Sequence, residues 1–410
     1  MKDMTMLLSR RSLVKSVAAA SLAAGCPSGL RLGFAQAAQT SPVLLFILLR
    51  GGMDGLNLVA PSDDADLIAA RPAGLRLLNS GAGAALPLAN GPSGNDWRLH
   101  PNATALKTLY DSGQLAFIHA SGNPASSRSH FQMQAFAENG VADAVTLGHT
   151  NGWIARYGLA TGLGTQDFAL LSAEPTLPPS MMGAPLSISL PTPSQFNAGS
   201  KARTAFLQTA YENAPGTLGA QGRTALNAVG AFAAASQGFT QTTGLYGSDS
   251  LSRGLSVVSE MIKLNVGLQV AEVEFNPWDT HFDQQPRFAN NVTTFSAALG
   301  AFMTDVARYN LKVTAVAMSE FGRRVQSNAS GGTDHGHGNV MMVLGNGVKG
   351  GRIYGRWLGL KPSILDLGDV PVTTDYRSVL AEVIGHGRGN FPAALFPGFT
   401  PAAPLGLFGS

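Results

Sequence analysis

Residues 43–49 read Val-Leu-Leu-Phe-Ile-Leu-Leu, seven apolar side chains in a row, and stop at Gly51-Gly52. A strand alternates its side chains between two faces, so a run with no polar break has no face to give to water. It belongs at the centre of a sheet covered on both sides. Similar runs occupy 114–119, 312–318 and 340–344. Helical periodicity fills the gaps at 103–112, 129–139, 220–235, 251–269, 287–309 and 375–384. Strands alternating with helices predict an α/β fold with a doubly wound, mostly parallel sheet. Residues 61–99 are rich in Gly, Ala, Asn and Pro and read as a long surface excursion. Prolines at 175, 178, 179, 185, 191 and 193 break up 172–200 and leave room for a short strand at 186–190. The segment 201–270 reads as a mainly helical insertion placed to cap a cleft, within one domain spanning 38–410.

The first 37 residues follow a different logic. Ser9-Arg10-Arg11-Ser12-Leu13-Val14-Lys15 places paired arginines ahead of a mild, alanine-rich stretch at 16–25, then Arg31 and Ala35-Gln36-Ala37. That order fits a twin-arginine signal peptide over 1–37, cut at a small-residue site, rather than an amphipathic first helix. It predicts passage through the twin-arginine translocase and a periplasmic or secreted product. Leu22-Ala23-Ala24-Gly25-Cys26 loosely resembles a lipoprotein processing site, which would instead anchor the chain through Cys26. Five of the 28 basic residues and one of the 25 acids fall in this leader, so the rest of the chain is close to neutral. Nothing in that balance calls for nucleic acid or an anionic membrane surface. Cys26 is the sole cysteine, so a chain cut after Ala37 has no disulfide and depends on core packing and metal. No later stretch is apolar for long enough to form a transmembrane helix.

In open parallel sheets ligands bind beyond the carboxyl ends of the strands. The first strand leads to Asp54 in a glycine-rich turn, and the second to Arg128-Ser129-His130 at a helix start. The third leads to Ser319-Glu320-Phe321-Gly322-Arg323, and Thr333-Asp334-His335-Gly336-His337 precedes the fourth. A further cluster, Asp279-Thr280-His281-Phe282-Asp283, lies between helical segments. Imidazoles with carboxylates suit zinc, manganese or iron, whereas magnesium and calcium prefer oxygen alone. Taken singly each residue has a plainer reading, as a turn cap, a helix cap or a loop surface. Their joint place beside strand ends favours a metal site. Ser129, at a helix N-terminus, is either an N-cap or a nucleophile activated by the helix field and a metal.

The segments Leu-Arg-Gly-Gly-Met-Asp-Gly-Leu-Asn (49–57), Ser-Arg-Ser-His-Phe (127–131), Gly-Trp-Ile-Ala-Arg-Tyr (152–157), Trp-Asp-Thr-His-Phe-Asp-Gln (278–284), Ser-Glu-Phe-Gly-Arg (319–323), Gly-Thr-Asp-His-Gly-His-Gly (332–338) and Pro-Val-Thr-Thr-Asp-Tyr-Arg (371–377) together resemble the exported domain-of-unknown-function family 1501. The resemblance runs over about 43–384, and that family in turn resembles the alkaline phosphatase and sulfatase superfamily. It implies an alkaline-phosphatase-like fold with one or two divalent metals, and a hydrolase of phosphate or sulfate esters acting on a small-molecule or polymer substrate. Asp54 would be the first-strand ligand and Ser129 the nucleophile. Asp279 with His281, or with Asp283 in its place, would serve one metal, and His335 or His337 would supply the late histidine. Glu320 stands where the superfamily has an Asp-His pair, so either Asp334-His335 compensates or one metal site is altered. Arg323 and Arg128 would bind the substrate oxyanion.

Competing readings are weaker or differ in class. Gly345-Asn346-Gly347-Val348-Lys349-Gly350 has dinucleotide-loop spacing, but a strand follows it instead of a helix, and it reads as a hairpin turn. No GxSxG elbow or Walker loop occurs. With no cysteine left after Ala37, a formylglycine-type sulfatase is disfavoured. The rival of a different class is an inactive, metal-stabilised binding or assembly protein on the same scaffold, motivated by Glu320.

Overall fold

The computed structural model of the chain describes residues 42–148, 151–241, 243–386 and 392–409. The leader expected over 1–37, its arginine pair, its cleavage site and Cys26 lie outside the described residues. The centre is a nine-stranded sheet. In chain order its strands are β1 (Val43–Leu49), β2 (Leu115–Gly122), β3 (Leu170–Ser172), β4 (Ser187–Ser189), β5 (Val270–Phe275), β6 (Val313–Met318), β7 (Asn339–Gly345), β8 (Arg352–Tyr354) and β9 (Thr374–Asp375). Across the sheet they run β8-β2-β7-β6-β1-β5-β3-β4, with β9 extending the edge of β2. The apolar run at 43–49 is central, with Phe46 opposite Glu272 of β5 on one side and Val316 of β6 on the other. All pairings are parallel except those of β7, which is antiparallel to both β2 and β6.

Side-chain alternation along β1 divides the core. Val43, Leu45, Ile47 and Leu49 join a cluster with α1 (Thr104–Asp111), α6 (Ser250–Lys263) and α7 (Gln284–Arg308). Leu44, Phe46 and Leu48 join the other, with α3 (Trp153–Thr161) and α8 (Tyr376–Gly385). Trp153 meets Phe46 edge-on at 5.2 Å between ring centroids. Burial stabilises each such side chain by about 1.5–3 kcal/mol, and this explains why β1 has no polar position. The fold is therefore α/β, with helices on both faces of a mostly parallel sheet.

Three expectations change. The helix predicted over 251–269 ends at Lys263, and β5 follows it directly beside β1. The acidic Glu272 and Glu274 disguised this strand, because the groups that accommodate them are far away in sequence. The segment 61–99 is not a surface excursion. Val59–Pro61, Leu86–Pro87 and Trp97–Leu99 form a small antiparallel sheet, and Leu75, Leu77, Leu88, Trp97 and Leu99 are buried. The turn at 345–350 does not close a hairpin either, since β8 crosses to the far side of β2 and pairs with it in parallel. Residues 201–263 are largely helical, comprising α4 (Lys201–Glu212), α5 (Gly216–Ala235) and α6. Among the described residues no helix is long and apolar enough to cross a membrane.

The topology brings five segments to one edge of the sheet. These are the turns leaving β1, β2 (toward α2, His130–Asn139), β5 and β6, together with the segment entering β7. Because β7 runs in reverse, it contributes the residues that precede it.

Candidate metal centre

The turn after β1 is glycine for steric reasons. Gly51 and Gly52 have φ of +112° and +61°, values that L side chains rarely adopt. A Cβ on Gly51 would lie 2.6 Å from the backbone nitrogen of Asp279, and one on Gly52 2.5 Å from the Phe321 ring. The close approach admits the guanidinium of the buried Arg323. It donates to Gly52 O at 2.6 Å, Gly51 O at 2.5 Å, Thr333 O at 2.8 Å and Asp279 Oδ1 at 2.7 Å. One side chain thus staples three of the converging loops.

Three imidazoles face that same carboxylate. His281 Nδ1 lies 3.0 Å from Asp334 Oδ1, His335 Nδ1 2.8 Å from the Arg128 carbonyl, and His130 Nδ1 2.7 Å from Glu320 Oε1. Ionised carboxylates and carbonyls only accept hydrogen bonds, so each Nδ1 carries a proton, and the neutral form of each ring would present its lone pair at Nε2. The Nε2 atoms of His281, His335 and His130 stand 3.1, 3.4 and 3.5 Å from Asp279 Oδ1. His281 Nε2 and His335 Nε2 are 2.8 Å apart. His130 Nε2 is buried without a hydrogen-bond partner.

Arg323 already balances the Asp279 charge, but the pairing of the three Nε2 atoms is incomplete. Protonating one ring would satisfy the His281–His335 pair and still leave His130 Nε2 unpaired. A cation among the donors answers both needs. Tetrahedral ligands at the usual zinc distances stand roughly 3.3–3.4 Å from one another, close to the separations of the three Nε2 atoms from Asp279 Oδ1. Ligand atoms of His130, His335 and Asp279 lie within 4.8 Å of one another, and imidazole nitrogens with a carboxylate oxygen suit zinc, iron or manganese better than magnesium or calcium. The acceptors behind each Nδ1 fix ring orientation, as the partners of metal-bound histidines do. The residues present therefore fit a transition metal.

The electrostatics follow from the same contacts. Burial pushes the Asp279 carboxyl up, but the Arg323 guanidinium with His281 and His130 outweighs it and holds the group at about 2. Burial also works to raise Glu320, which is nevertheless lowered by hydrogen bonds from His130, Gln134 and the Gly51 amide. The hydrogen bond to Glu320 raises His130, whereas burial lowers His335.

Of the residues singled out from the sequence, the structure brings Asp279, His281 and His335 together, with Asp334 behind His281. Glu320 stands behind His130, both of its oxygens occupied by donors. Asp54 is fully buried and ion-paired with Arg71 at 2.8 Å. His337 turns away, with Nδ1 on Asp366 at 2.6 Å and Nε2 on the Asn123 carbonyl at 2.8 Å. Asp283 is exposed and starts α7 with a left-handed backbone, φ 44°. Ser129 is the exposed N-cap of α2, and its hydroxyl caps no backbone group. Arg128 is ion-paired with Asp369, and all the Arg323 contacts given above are within the protein.

From the sequence alone His130 stands only as the neighbour of Ser129. The available signal was its position on the first turn of a helix pointing at the same strand ends. A second cluster, Glu138, Glu272 and Glu274, already contains a cation, because Arg50 Nη2 lies 2.8 Å from Glu138 and 2.5 Å from Glu274.

Among curated proteins nothing matches the chain. In solved structures the chain is similar to the C-terminal periplasmic domain of EcEptC from Escherichia coli in complex with zinc. Identity there is 7%, coverage 75% of this chain and 73% of that one, and the TM-score 0.37. It is also similar to the lipoteichoic acid synthase LtaP from Listeria monocytogenes, at 10% identity, 83% and 76% coverage and a TM-score of 0.33. Likenesses of this strength carry no functional inference. The sequence match is different in kind: one family model spans residues 116–385, which includes all but the first residue of β2, and Ser129, the three facing imidazoles, Asp279, Glu320 and Arg323. By that match over more than half of its length, the chain belongs to the family described as Protein of unknown function (DUF1501).

Proposed function

We propose that this protein is a metal-dependent hydrolase of phosphate or sulfate esters working in the bacterial envelope after twin-arginine export. The observation that carries the reading is the convergence of His130, His335 and Asp279, whose ligand atoms lie within 4.8 Å of one another, with His281 Nε2 against both Asp279 and His335. A transition metal held there would act as a Lewis acid toward an ester oxygen.

The chain's own residues supply the rest. Asp334, the Arg128 carbonyl and Glu320 keep the imidazoles in the tautomer that leaves Nε2 free. Arg323 holds Asp279 ionised. Ser129 stands one residue before His130, exposed to substrate and water and in the positive field of the α2 N-terminus. Its Oγ would attack phosphorus or sulfur while its proton passes to solvent. The leaving-group oxygen would depart with the bonding electron pair and take a proton from water. A second water would then release the serine ester.

The test is hydrolysis of chromogenic phosphate and sulfate esters by zinc- and manganese-loaded protein, beside Ser129→Ala and His281→Ala. Turnover by wild type that falls at least about 100-fold in both variants supports the proposal. Turnover unchanged in Ser129→Ala removes that residue from the reaction. No turnover on either ester class removes the hydrolase reading.

A further inference from the structure

The superfamily resemblance implies up to two metals, with the first-strand aspartate as a ligand. The Asp54 carboxylate does not fit that role. Its Oδ2 accepts from Arg71 Nη1 at 2.8 Å, Gln284 Nε2 at 2.6 Å and Thr333 Oγ1 at 3.3 Å, and its Oδ1 from the Asn57 amide at 3.3 Å. Both side chains of the Asp54–Arg71 pair are 0% exposed. Arg71 also donates to the carbonyls of Val325 at 2.8 Å, Arg324 at 2.7 Å and Leu75 at 3.2 Å. An ion on Asp54 would have to expel a buried guanidinium and strand those carbonyls, each at the cost of a lost buried hydrogen bond. On the other side, Asp279 Oδ1 faces the imidazoles and also receives Arg323 Nη2 at 2.7 Å.

We infer that the chain binds a single transition-metal ion, and that the guanidinium groups of Arg71 and Arg323 provide fixed positive charge where a second ion would otherwise stand. The inference rests on the metal reading of the His130–Asp279–His281–His335 cluster. A guanidinium stays charged at any working pH and chelators do not remove it, so only one of the site's cations is exchangeable.

The experiment is a zinc titration of the full mature chain, with bound metal counted by native mass spectrometry and by elemental analysis after gel filtration. One equivalent per chain is expected in wild type, one in Asp54→Asn and none in His281→Ala. Two equivalents in wild type would overturn the single-ion inference and leave the metal centre standing. No uptake at all would overturn the metal centre itself, so the two failures are distinguishable. The wild-type count decides the matter even where a variant folds poorly. With folding confirmed by circular dichroism, loss of the ion in Asp54→Asn would also count against the inference, since it would make Asp54 a ligand.

Discussion

Replacing the Glu320 carboxylate by an amide keeps its size and changes what faces His130. Oε1 of Glu320 now accepts from the Gly51 amide, from His130 Nδ1 and from Gln134 Nε2, while Oε2 accepts from Ser319. An amide oxygen carries no full charge, and an amide turned the other way would set its N–H against His130, so Glu320→Gln weakens the hold on the His130 Nδ1 proton or forces the wrong tautomer. Zinc affinity is expected to fall roughly 10–100-fold, measured by competition with a chromophoric chelator. Unchanged affinity would show that His130 does not need this orientation. At this scale the sequence showed which residue types gather at the strand ends, but not which of them touch. His335 and His337 are two positions apart and would share a face of a regular strand, but the strand ends at His335 and the chain bends at His337, so one side chain enters the cluster and the other meets Asp366. His130 was overshadowed by Ser129, because an N-cap hydroxyl has an evident role and a histidine beside it does not.

The least legible element was β5. A central strand buried on both faces should be apolar, yet Val-Ala-Glu-Val-Glu-Phe places two carboxylates on one face. Glu272 is fully buried, receives the Ser180 hydroxyl, and has Oε1 unpartnered. Burial raises its pKa well above the ordinary carboxyl value; Glu138 and Glu274 add to this, while Ser180 and Arg50 oppose it. The sign is that of a group whose folded state holds the proton more tightly than the unfolded state. Its contribution to stability is full below the unfolded carboxyl pKa and declines as pH rises above it. Glu272→Gln removes that decline. Its melting temperature should gain on wild type as pH goes from about 5 to 8, by roughly 2 °C for each kcal/mol recovered. Calorimetry of metal-free protein would check this, and a gap that stays constant with pH would contradict it. The strand could not be recognised from its own residues, because Ser180 and Arg50, the groups that make it tolerable, lie 92 and 224 residues away from Glu272 and Glu274. β1 and β6 were legible because nothing remote was needed to explain their apolar runs.

For the whole molecule, the side chains gathered around Asp279 come from α2, the loop after β5 and the segment before β7, so a bound ion would tie together regions far apart in the chain. An ion held at 100 times its dissociation constant stabilises the native state by about 2.7 kcal/mol. Chelation should therefore lower the melting temperature by several degrees in wild type and barely at all in His281→Ala. Thermal melts with and without zinc would show this, and a wild type indifferent to chelator would oppose it. The reversed strand β7 has a further consequence, for the order in which the molecule is assembled. It sits between β2 and β6, and its pairing partners Ser121 and Asn339 lie 218 residues apart. Contacts so distant in sequence form late, once much of the chain has collapsed. His335 reaches the imidazole cluster only when that strand has slotted home. Metal uptake thus becomes a readout of finished folding, because the ion can be held only once α2, the loop after β5 and the segment before β7 have met.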